Sequence, residues 1–261
     1  MKRKSVKKGI AVALAATMTG GVLPAASVTA ADTEPELLAE FDFDSQASDG
    51  VITGTNAAAK VNGNCQIKTK VGDNTALYLD GGQNYLEVTD EDGSSLLKGQ
   101  DEVTISFDTK AERTSTNWLY YAAPDTRTQK YNSEQYLGVM QQNGKVKSER
   151  YKNSGSRPAS PQAETDSGWS HVDVVVSENA TSVYVNGEKK AEEASDISLQ
   201  DIVGDDGVFY IGKANWGSGE YSKAWIDNFR VYGGVLSDEA IVKEYEESAS
   251  ELETSDIQEA Y

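Results

Sequence analysis

The chain has 261 residues, of which 38% are hydrophobic and 25% charged, and its formal net charge is −18. This length allows one large β domain or two small ones. A chain this acidic is repelled by phosphate backbones and by anionic lipid, which argues against nucleic acid as a partner. One cysteine and one histidine exclude an intrachain disulfide, Cys/His zinc sites, Cys–His proteases and Ser–His–Asp triads that need a second, independent histidine.

The first thirty residues predict a secretory signal peptide. Basic residues crowd the first eight positions, an uncharged apolar run covers 9–23, and Val28-Thr29-Ala30 offers small residues for cleavage before Ala31. The alternative, a membrane-spanning helix, is disfavoured because the run is short and rich in Ala, Gly and Thr. We therefore expect a secreted bacterial protein that has no membrane contact after signal cleavage.

From Leu37 onward, short alternating runs separated by Gly, Asn and Asp predict β-strands. In chain order these runs are 37–43, 76–80, 85–88, 103–110, 118–122, 136–141, 145–151, 171–177, 181–188, 208–213 and 224–232. Residues 81–84, with the sequence GGQN, predict a hairpin between the second and third runs, and Asn143-Gly144 and Asn186-Gly187 predict two more hairpin turns. The strands are evenly spaced, and helix signals are scarce before residue 236. This pattern predicts an all-β, antiparallel β-sandwich.

Helix signals begin only near the C-terminus. Ser237 is a predicted N-cap, followed by acidic residues that favour the first turn of a helix. Ile241 and Tyr245 share one face, so a short amphipathic C-terminal helix is expected to pack on the sandwich.

The domain organisation follows from these patterns. We expect a signal peptide over 1–30, a single β domain over 36–247 and an acidic tail, frayed helix or linker over 248–261. The acidic C-terminus is typical of a junction after which another domain follows.

Several segments resemble the laminin-G-like family. They are EFDFD (40–44), GWSHVDVVVSENATSVYVNGEK (168–189), FYIGKANW (209–216) and AWIDNFRVYGGVLSDEAIVKEY (224–245). Together they cover nearly the whole mature domain. The resemblance implies a jelly roll of the concanavalin A-like type.

A narrower resemblance is carried by TISFDTKAERTSTNWLYYAAPDTRTQKY, ERYKNSGSRPAS and IGKANWGSGEY. These stretches are similar to modules attached to secreted bacterial glycoside hydrolases that act on arabinose-containing plant polysaccharides. The resemblance implies a non-catalytic carbohydrate-binding module that serves a catalytic glycosidase domain or protein. Its ligand would be a polysaccharide or oligosaccharide.

Sugar binding needs aromatic rings that stack on the C–H faces of a sugar and planar polar groups that bind its hydroxyls. Trp216 has the flanking composition of a loop and is unlike a core residue, whereas Trp118 begins a strand and is expected in the core. Tyr120 and Tyr121 point to opposite faces, so one is expected in the core and the other exposed. The predicted carbohydrate-binding residues are Trp216, Arg150, Tyr151, Arg157, Tyr121 and Asn215.

A calcium site is the second expectation. Asp227 lies inside an apolar strand, where strict alternation places it on the same side as Phe229 and Val231, and a buried carboxylate needs a partner or a metal. The resemblance implies structural Ca²⁺ between the first and last strands. The predicted ligands are Asp42, Asp44 and Asp227. The alternative is that Asp227 pairs with Arg230 or accepts hydrogen bonds from backbone amides.

Three other functions remain open. Alternation puts Glu40, Asp42 and Asp44 on one face of the first strand, which a glycosidase with paired carboxyls could use. The chain could also be an extracellular adhesion or scaffold domain, or the N-terminal fragment of a glycoside hydrolase.

His171 and Cys65 are both interpreted as structural.

Overall fold

A computed structural model describes residues 34–72, 74–125, 135–153, 155–157, 160–215 and 220–258. These residues belong to a unit that begins at Glu34. The predicted signal peptide and Trp216 lie outside the described residues.

β-Strands are the predominant secondary structure of the described chain. In chain order they are β1 (Glu36–Phe41), β2 (Val51–Thr53), β3 (Ala57–Asn62), β4 (Gln66–Val71), β5 (Asn74–Asp80), β6 (Tyr85–Asp90), β7 (Val103–Ala111), β8 (Asn117–Ala123), β9 (Tyr136–Gln142), β10 (Lys145–Tyr151), β11 (Gln162–Glu164), β12 (Ser170–Val176), β13 (Ala180–Val185), β14 (Glu188–Ala194), β15 (Val208–Ile211) and β16 (Lys223–Gly233). The helices are α1 (Leu199–Val203) and α2 (Asp238–Gln258).

Within the described residues, the strands form two antiparallel sheets. Sheet A has the order β14-β13-β12-β7-β16-β5-β4, and β1 joins it by pairing with the second half of β16. Sheet B has the order β11-β10-β9-β8-β15-β6-β3-β2. This arrangement confirms the predicted antiparallel β-sandwich with a C-terminal helix.

One predicted hairpin is wrong. The turn at 81–84 does not join paired strands, because β5 belongs to sheet A and β6 to sheet B. The Asp80 carboxylate accepts hydrogen bonds from the Gly82 amide and from Asn84 Nδ2, which folds the turn as the chain crosses between sheets. Turn residues specify a change of direction, whereas the strand that is paired afterwards depends on the rest of the fold. The Asn143-Gly144 and Asn186-Gly187 hairpins are confirmed, with positive φ at all four residues.

The core lies between the sheets and is centred on four aromatic rings. Phe107 and Phe229 of sheet A stack with their centroids 5.6 Å apart. Tyr120 and Phe209 of sheet B stack at 5.7 Å. Aliphatic residues from both sheets surround these rings, and burial of this apolar area is the main force that holds the layers together.

β-Bulges interrupt the alternation on which sequence-based predictions depend, and two of them change the faces of residues considered for a site. In β8 the register shifts between Trp118 and Tyr120, and in β16 it shifts between Asp227 and Arg230. A bulge places one extra residue in a strand, so the side chains beyond it change faces. Asp227 consequently does not share a face with Phe229, which corrects the prediction.

Helix α2 packs on the outer face of sheet A. Ile241 is fully buried and, with Leu236, packs against Val175 and Tyr184 of the sheet. The helix continues past residue 247 into the segment predicted as a frayed helix or linker. In the described part of the chain, no helix is long and apolar enough to cross a bilayer.

Buried charges lie beneath α2 on the same face of sheet A. His171 Nδ1 lies 2.8 Å from one carboxylate oxygen of Asp108, and the Ser248 hydroxyl of α2 donates to that oxygen at 2.6 Å. The Lys70 ammonium binds Asp108 at 3.2 Å and Asp227 at 2.7 Å. This network connects four strands of the sheet, β4, β7, β12 and β16, to the second half of the helix, and it confirms the structural interpretation of His171.

The pKa values of the network reflect the balance between burial and neighbouring charge. Burial opposes protonation of His171, but Asp173 and Asp108 outweigh it and raise its pKa to about 10. Burial raises the pKa of Asp227 to about 7, against the opposing charge of Lys70. His171 is therefore a buried cation at neutral pH, held between carboxylates.

We predict that His171 makes stability depend on pH in the alkaline range. Its folded pKa lies above the unfolded value of about 6.5, so its contribution is complete below that pH and is lost as the pH rises towards 10. The loss should be on the order of a few kcal/mol. Urea unfolding between pH 6.5 and 10 measures it, with H171Q as the comparison. Equal pH slopes for the wild type and H171Q would contradict the assignment.

Candidate functional site

The outer face of sheet B carries a cluster of aromatic side chains, which we call the aromatic face. Its buried members are Trp118, Tyr121, Tyr136 and Tyr210, and its half-buried members are Tyr85, Met140 and Tyr151, with Ala123, Val208 and Ala214 between them. These residues come from neighbouring strands β6, β15, β8, β9 and β10. The face is separate from the core, which lies on the other side of the sheet.

The bulge in β8 creates the centre of the aromatic face. Trp118 and Tyr121 are three residues apart, and in a regular strand they would point to opposite sides. The register shift at Leu119 places both of them on the outer face, while Leu119 and Tyr120 point into the core. Gly138 on β9 makes room for the indole, because a Cβ at Gly138 would lie 2.8 Å from Cζ3 of Trp118.

The rings pack edge to face and by stacking across the strands. Tyr121 stacks on Tyr136 with the centroids 5.2 Å apart, and Trp118 meets both rings edge-on at 5.9 and 5.8 Å. Tyr151 continues the row, 5.2 Å from Tyr136. Such pairs hold one another in fixed orientations, so the face is a rigid platform.

Polar groups at the aromatic face are held by carboxylates. The Tyr136 hydroxyl donates to Glu149 at 2.5 Å, and Lys147 also binds Glu149. The Trp118 indole N–H donates to Glu220. Burial, followed by the nearby Glu149, raises the pKa of Tyr136 well above its usual range, so its phenol stays protonated and remains a donor.

Two half-buried parts of the face are open to a ligand. At one end, the guanidinium of Arg157 lies 4.8 Å from the ring centroid of Tyr151. At the other end, Lys213 Nζ lies 4.5 Å from the centroids of both Tyr85 and Tyr210, and Tyr221 is 6.3 Å from Tyr85. Each end combines an aromatic ring with a cationic hydrogen-bond donor. This combination suits a ligand that has apolar C–H faces and hydroxyl groups.

The structure brings several predicted binding residues to this face. Tyr121, Tyr151 and Arg157 lie on or against it, and Asn215 follows Ala214, which packs in the cluster. The Nδ2 atom of Asn215 is buried and has no hydrogen-bond partner within the described part of the chain. Tyr121 differs from the expectation of one exposed and one core tyrosine, because it is fully buried under the neighbouring rings.

Arg150 does not reach the aromatic face. On β10, Tyr151 and Glu149 alternate with Arg150, which points inward and is 3% exposed. Its Nη1 donates to the backbone carbonyls of Ser177 and Ala180 at 2.8 and 3.2 Å. Adjacent residues of a regular strand face opposite sides, so Arg150 and Tyr151 cannot both belong to one flat site.

Sequence reasoning missed other members of the face. Trp118 was expected in the core, and the bulge that turns it outward has no clear signal in the sequence. Tyr85 and Tyr210 each alternate with core residues of their own strands, so their outward direction could have been inferred. The proximity of Tyr85 to Tyr210 could not have been inferred, because β6 and β15 are far apart in the chain and meet only in the folded sheet.

The acidic residues considered for catalysis and calcium lie apart from the aromatic face. Strand β1 ends at Phe41 and Phe43 has a φ of 53°, so Asp42 and Asp44 lie beyond the paired strand, although Phe43 is still buried beside Phe41. Both carboxylates are exposed, and Asp42 accepts a hydrogen bond from the amide of Asp44. Glu40 pairs with Arg230 Nε at 2.8 Å.

The ligand set predicted for calcium fits the ion poorly. One oxygen of Asp227 binds the Lys70 ammonium, which would repel a metal ion at the same carboxylate. Arg230 binds Glu40 and Glu244, so the alternative pairing with Asp227 is not the one observed. The described residues contain no group of three or more His, Cys, Asp or Glu side chains placed to hold a metal. Calcium stays a sequence-based prediction.

We predict that G138A destabilises the protein by about 1–3 kcal/mol, because the added methyl group forces the buried Trp118 ring to move. The midpoint of urea unfolding measures the loss, and tryptophan fluorescence reports the ring. G168A is the matched control, since a Cβ at Gly168 meets no atom within 4 Å. Equal midpoints for the two variants would show that the indole is not confined by Gly138.

Several solved structures share this fold. Domain 4 of AbnA, a GH43 extracellular arabinanase from Geobacillus stearothermophilus solved in complex with arabinotriose, aligns with a TM-score of 0.60 and 18% identity, over 82% of this chain and 100% of that one. The receptor binding domain of botulinum neurotoxin C/D mosaic serotype aligns with a TM-score of 0.58 and 16% identity, over 80% of this chain and 51% of that one. This chain therefore spans about half of the toxin domain. At these identities the likeness shows the fold alone.

A comparison with curated proteins gave no significant match. Residues 80–242 match the sequence profile Laminin_G_3, described as the concanavalin A-like lectin/glucanases superfamily. The match confirms the laminin-G-like resemblance and covers β6 to the first turn of α2. Because it spans more than half of the sequence, the chain belongs to the concanavalin A-like lectin/glucanases superfamily.

Proposed function

We propose that this chain is a secreted, non-catalytic carbohydrate-binding module for arabinose-bearing plant cell-wall glycans, accessory to a glycoside hydrolase. The observation that carries the proposal is the aromatic face, where rings and hydrogen-bonding side chains from five strands form one platform on the outside of sheet B. The similar arabinanase domain that was solved with arabinotriose supports a saccharide as the ligand and an extracellular location.

The half-buried rings would provide the stacking surface. Tyr151 and Tyr85 lie at opposite ends of the row, so an oligosaccharide could contact both ends while the buried rings support its middle. Arg157 and Lys213 stand over these rings and would donate hydrogen bonds to hydroxyl oxygens. Burial lowers the pKa of Lys213, against the charge of Glu87, which shows that this ammonium is partly removed from water.

A non-catalytic role agrees with the state of the carboxylates near the face. Glu149 is engaged by Tyr136 and Lys147, and Glu220 accepts from Trp118. A retaining glycosidase needs one ionised nucleophile and one protonated acid about 5 Å apart on either side of a glycosidic bond. Carboxylates that serve as acceptors for the rings of the platform are instead positioned to hold its shape.

A receptor-binding role is the second candidate. The botulinum neurotoxin receptor binding domains share the fold, and one of them was solved in complex with rat synaptotagmin II. An adhesion or scaffold domain of this kind would bind a protein or a host glycan. It would not be retained on plant arabinan or arabinoxylan.

We predict that Y151A weakens binding to arabinotriose and arabinan roughly tenfold, which corresponds to about 1.4 kcal/mol, because it removes a stacking ring from the open end of the face. Isothermal titration calorimetry and retention on arabinan gels measure the effect. Y78A is the matched control, since Tyr78 is a half-buried ring on sheet A, packed on Trp225 at 4.8 Å. Unchanged affinity in Y151A, or equal loss in Y78A, would reject the aromatic face. No binding by the wild type would favour the receptor-binding role.

The loop composition around Trp216 generates a separate prediction. We expect W216A to abolish retention on arabinan or arabinoxylan gels without unfolding the protein, because an indole in a Gly- and Ser-rich segment is suited to stacking on a sugar. Circular dichroism checks that the variant is folded. Full retention by W216A would remove Trp216 from the site and leave the tyrosines of the aromatic face as the remaining candidates.

A further inference from the structure

A cavity lies at Arg150, on the opposite side of β10 from the aromatic face. We call it the rim cavity. Its volume is about 500 Å³, and it is lined by Asp101, Glu102, Arg150, Glu178, Asp196 and Ser198. Known small-molecule sites have volumes of roughly 300–1,000 Å³, so the rim cavity is large enough for a sugar residue.

Arg150 is the unusual feature of this cavity. Its side chain is almost completely buried, and Nη1 donates to the carbonyls of Ser177, Ala180 and Ser195. Its Nε and Nη2 are also buried, and neither has a hydrogen-bond partner among the residues that the structure describes. A buried donor that remains unpaired destabilises the protein by its full cost of desolvation, and this cost is larger when the group is charged. Backbone contacts therefore fix the guanidinium while its remaining donors are left for another acceptor.

The other lining residues are mostly carboxylates. One oxygen of Glu102 accepts a hydrogen bond from the Glu178 amide at 2.8 Å, which ties two sides of the cavity together. Burial lowers the pKa of Arg150, and the nearby charges of Asp196 and Glu102 oppose this shift. The carboxylates of Asp101, Glu178 and Asp196 are exposed, so their oxygens are accessible to a donor.

This set of groups selects the chemistry of a ligand. The four carboxylates would repel an anion such as phosphate, and a cation has no lone pair to accept from the N–H donors of Arg150. A neutral polyol suits both the guanidinium and the carboxylates, because each of its hydroxyls offers lone pairs to the guanidinium and a proton to a carboxylate. Adjacent hydroxyls on a sugar ring present these functions side by side.

We propose that the rim cavity is a second saccharide-binding site, in which Arg150 donates to ring hydroxyl oxygens and Asp196 accepts from a neighbouring hydroxyl. It is distinct from the aromatic face, because Arg150 and Tyr151 point to opposite sides of β10. Two sites on one domain would let the protein hold two glycan chains, or two segments of one chain, and so increase its avidity for an insoluble polysaccharide.

The experiment follows the Arg150 Nε–H signal in ¹H–¹⁵N NMR spectra during titration with arabinotriose, with xylotriose and with inorganic phosphate. R150K assigns the signal by its disappearance and keeps a cation at the position. We expect either trisaccharide, and not phosphate, to shift the signal. The shift should persist in Y151A, and D196A should weaken the affinity read from it roughly fivefold. E188A, an exposed carboxylate on β14, is the matched control and should leave that affinity unchanged.

The outcomes separate this site from the proposed function. An Arg150 signal that does not move with sugar overturns the second site, even if the aromatic face binds. A signal that moves in the wild type but not in Y151A also overturns it, because the shift would then be transmitted from the aromatic face. A response to phosphate but not to sugar rejects the polyol chemistry. A shift that persists when the aromatic face shows no binding supports the rim cavity and rejects the aromatic face.

Discussion

Aromatic rings of the two sheets meet in the core, and this contact holds the central strands β7, β8, β15 and β16 to each other. Phe107 of sheet A meets Tyr120 of sheet B at 6.1 Å, and Phe229 meets Phe209 at the same distance. These rings are buried, so the four strands that carry them are held in register and in rotation. A shift of one residue would exchange the core side chains of a strand for its outer ones. The two outer faces therefore acquire different chemistry as a consequence of the core.

Sheet A uses its outer face for stability. Buried charges from four strands are paired beneath α2, where Ser248 and Glu251 bind Asp108 and Asn228. Unpaired charges in such a place would be costly, so the helix must remain docked to protect them. Sheet B leaves its outer face to the aromatic residues, which need no covering helix because their rings pack on each other. Because the outer face of sheet A holds buried charges and that of sheet B holds aromatic rings, the C-terminal helix lies on sheet A and the candidate ligand-binding platform on sheet B.

The bulges show how a small irregularity gives a regular fold a specific site. Without the register shift in β8, Trp118 and Tyr121 would lie on opposite sides of sheet B, and the platform would have no centre. Without the shift in β16, Asp227 would lie in the apolar core with Phe229. Periodicity predicts the direction of a side chain only as far as the next bulge. This limit explains why the strands were predicted well and the faces around Trp118 and Asp227 were not.

Local sequence determined most strands, the two Asn-Gly hairpins, the C-terminal helix and the supply of tyrosine, arginine and asparagine suited to a sugar. Alternation, turn composition and capping act over a few residues, so a linear reading detects them. The tertiary structure decided that β5 and β6 belong to different sheets, that Tyr85 and Tyr210 join the same platform, and that Arg150 turns away from Tyr151 into a cavity. These facts depend on pairing between strands distant in the chain, which is set by packing of the whole core and leaves no local signal.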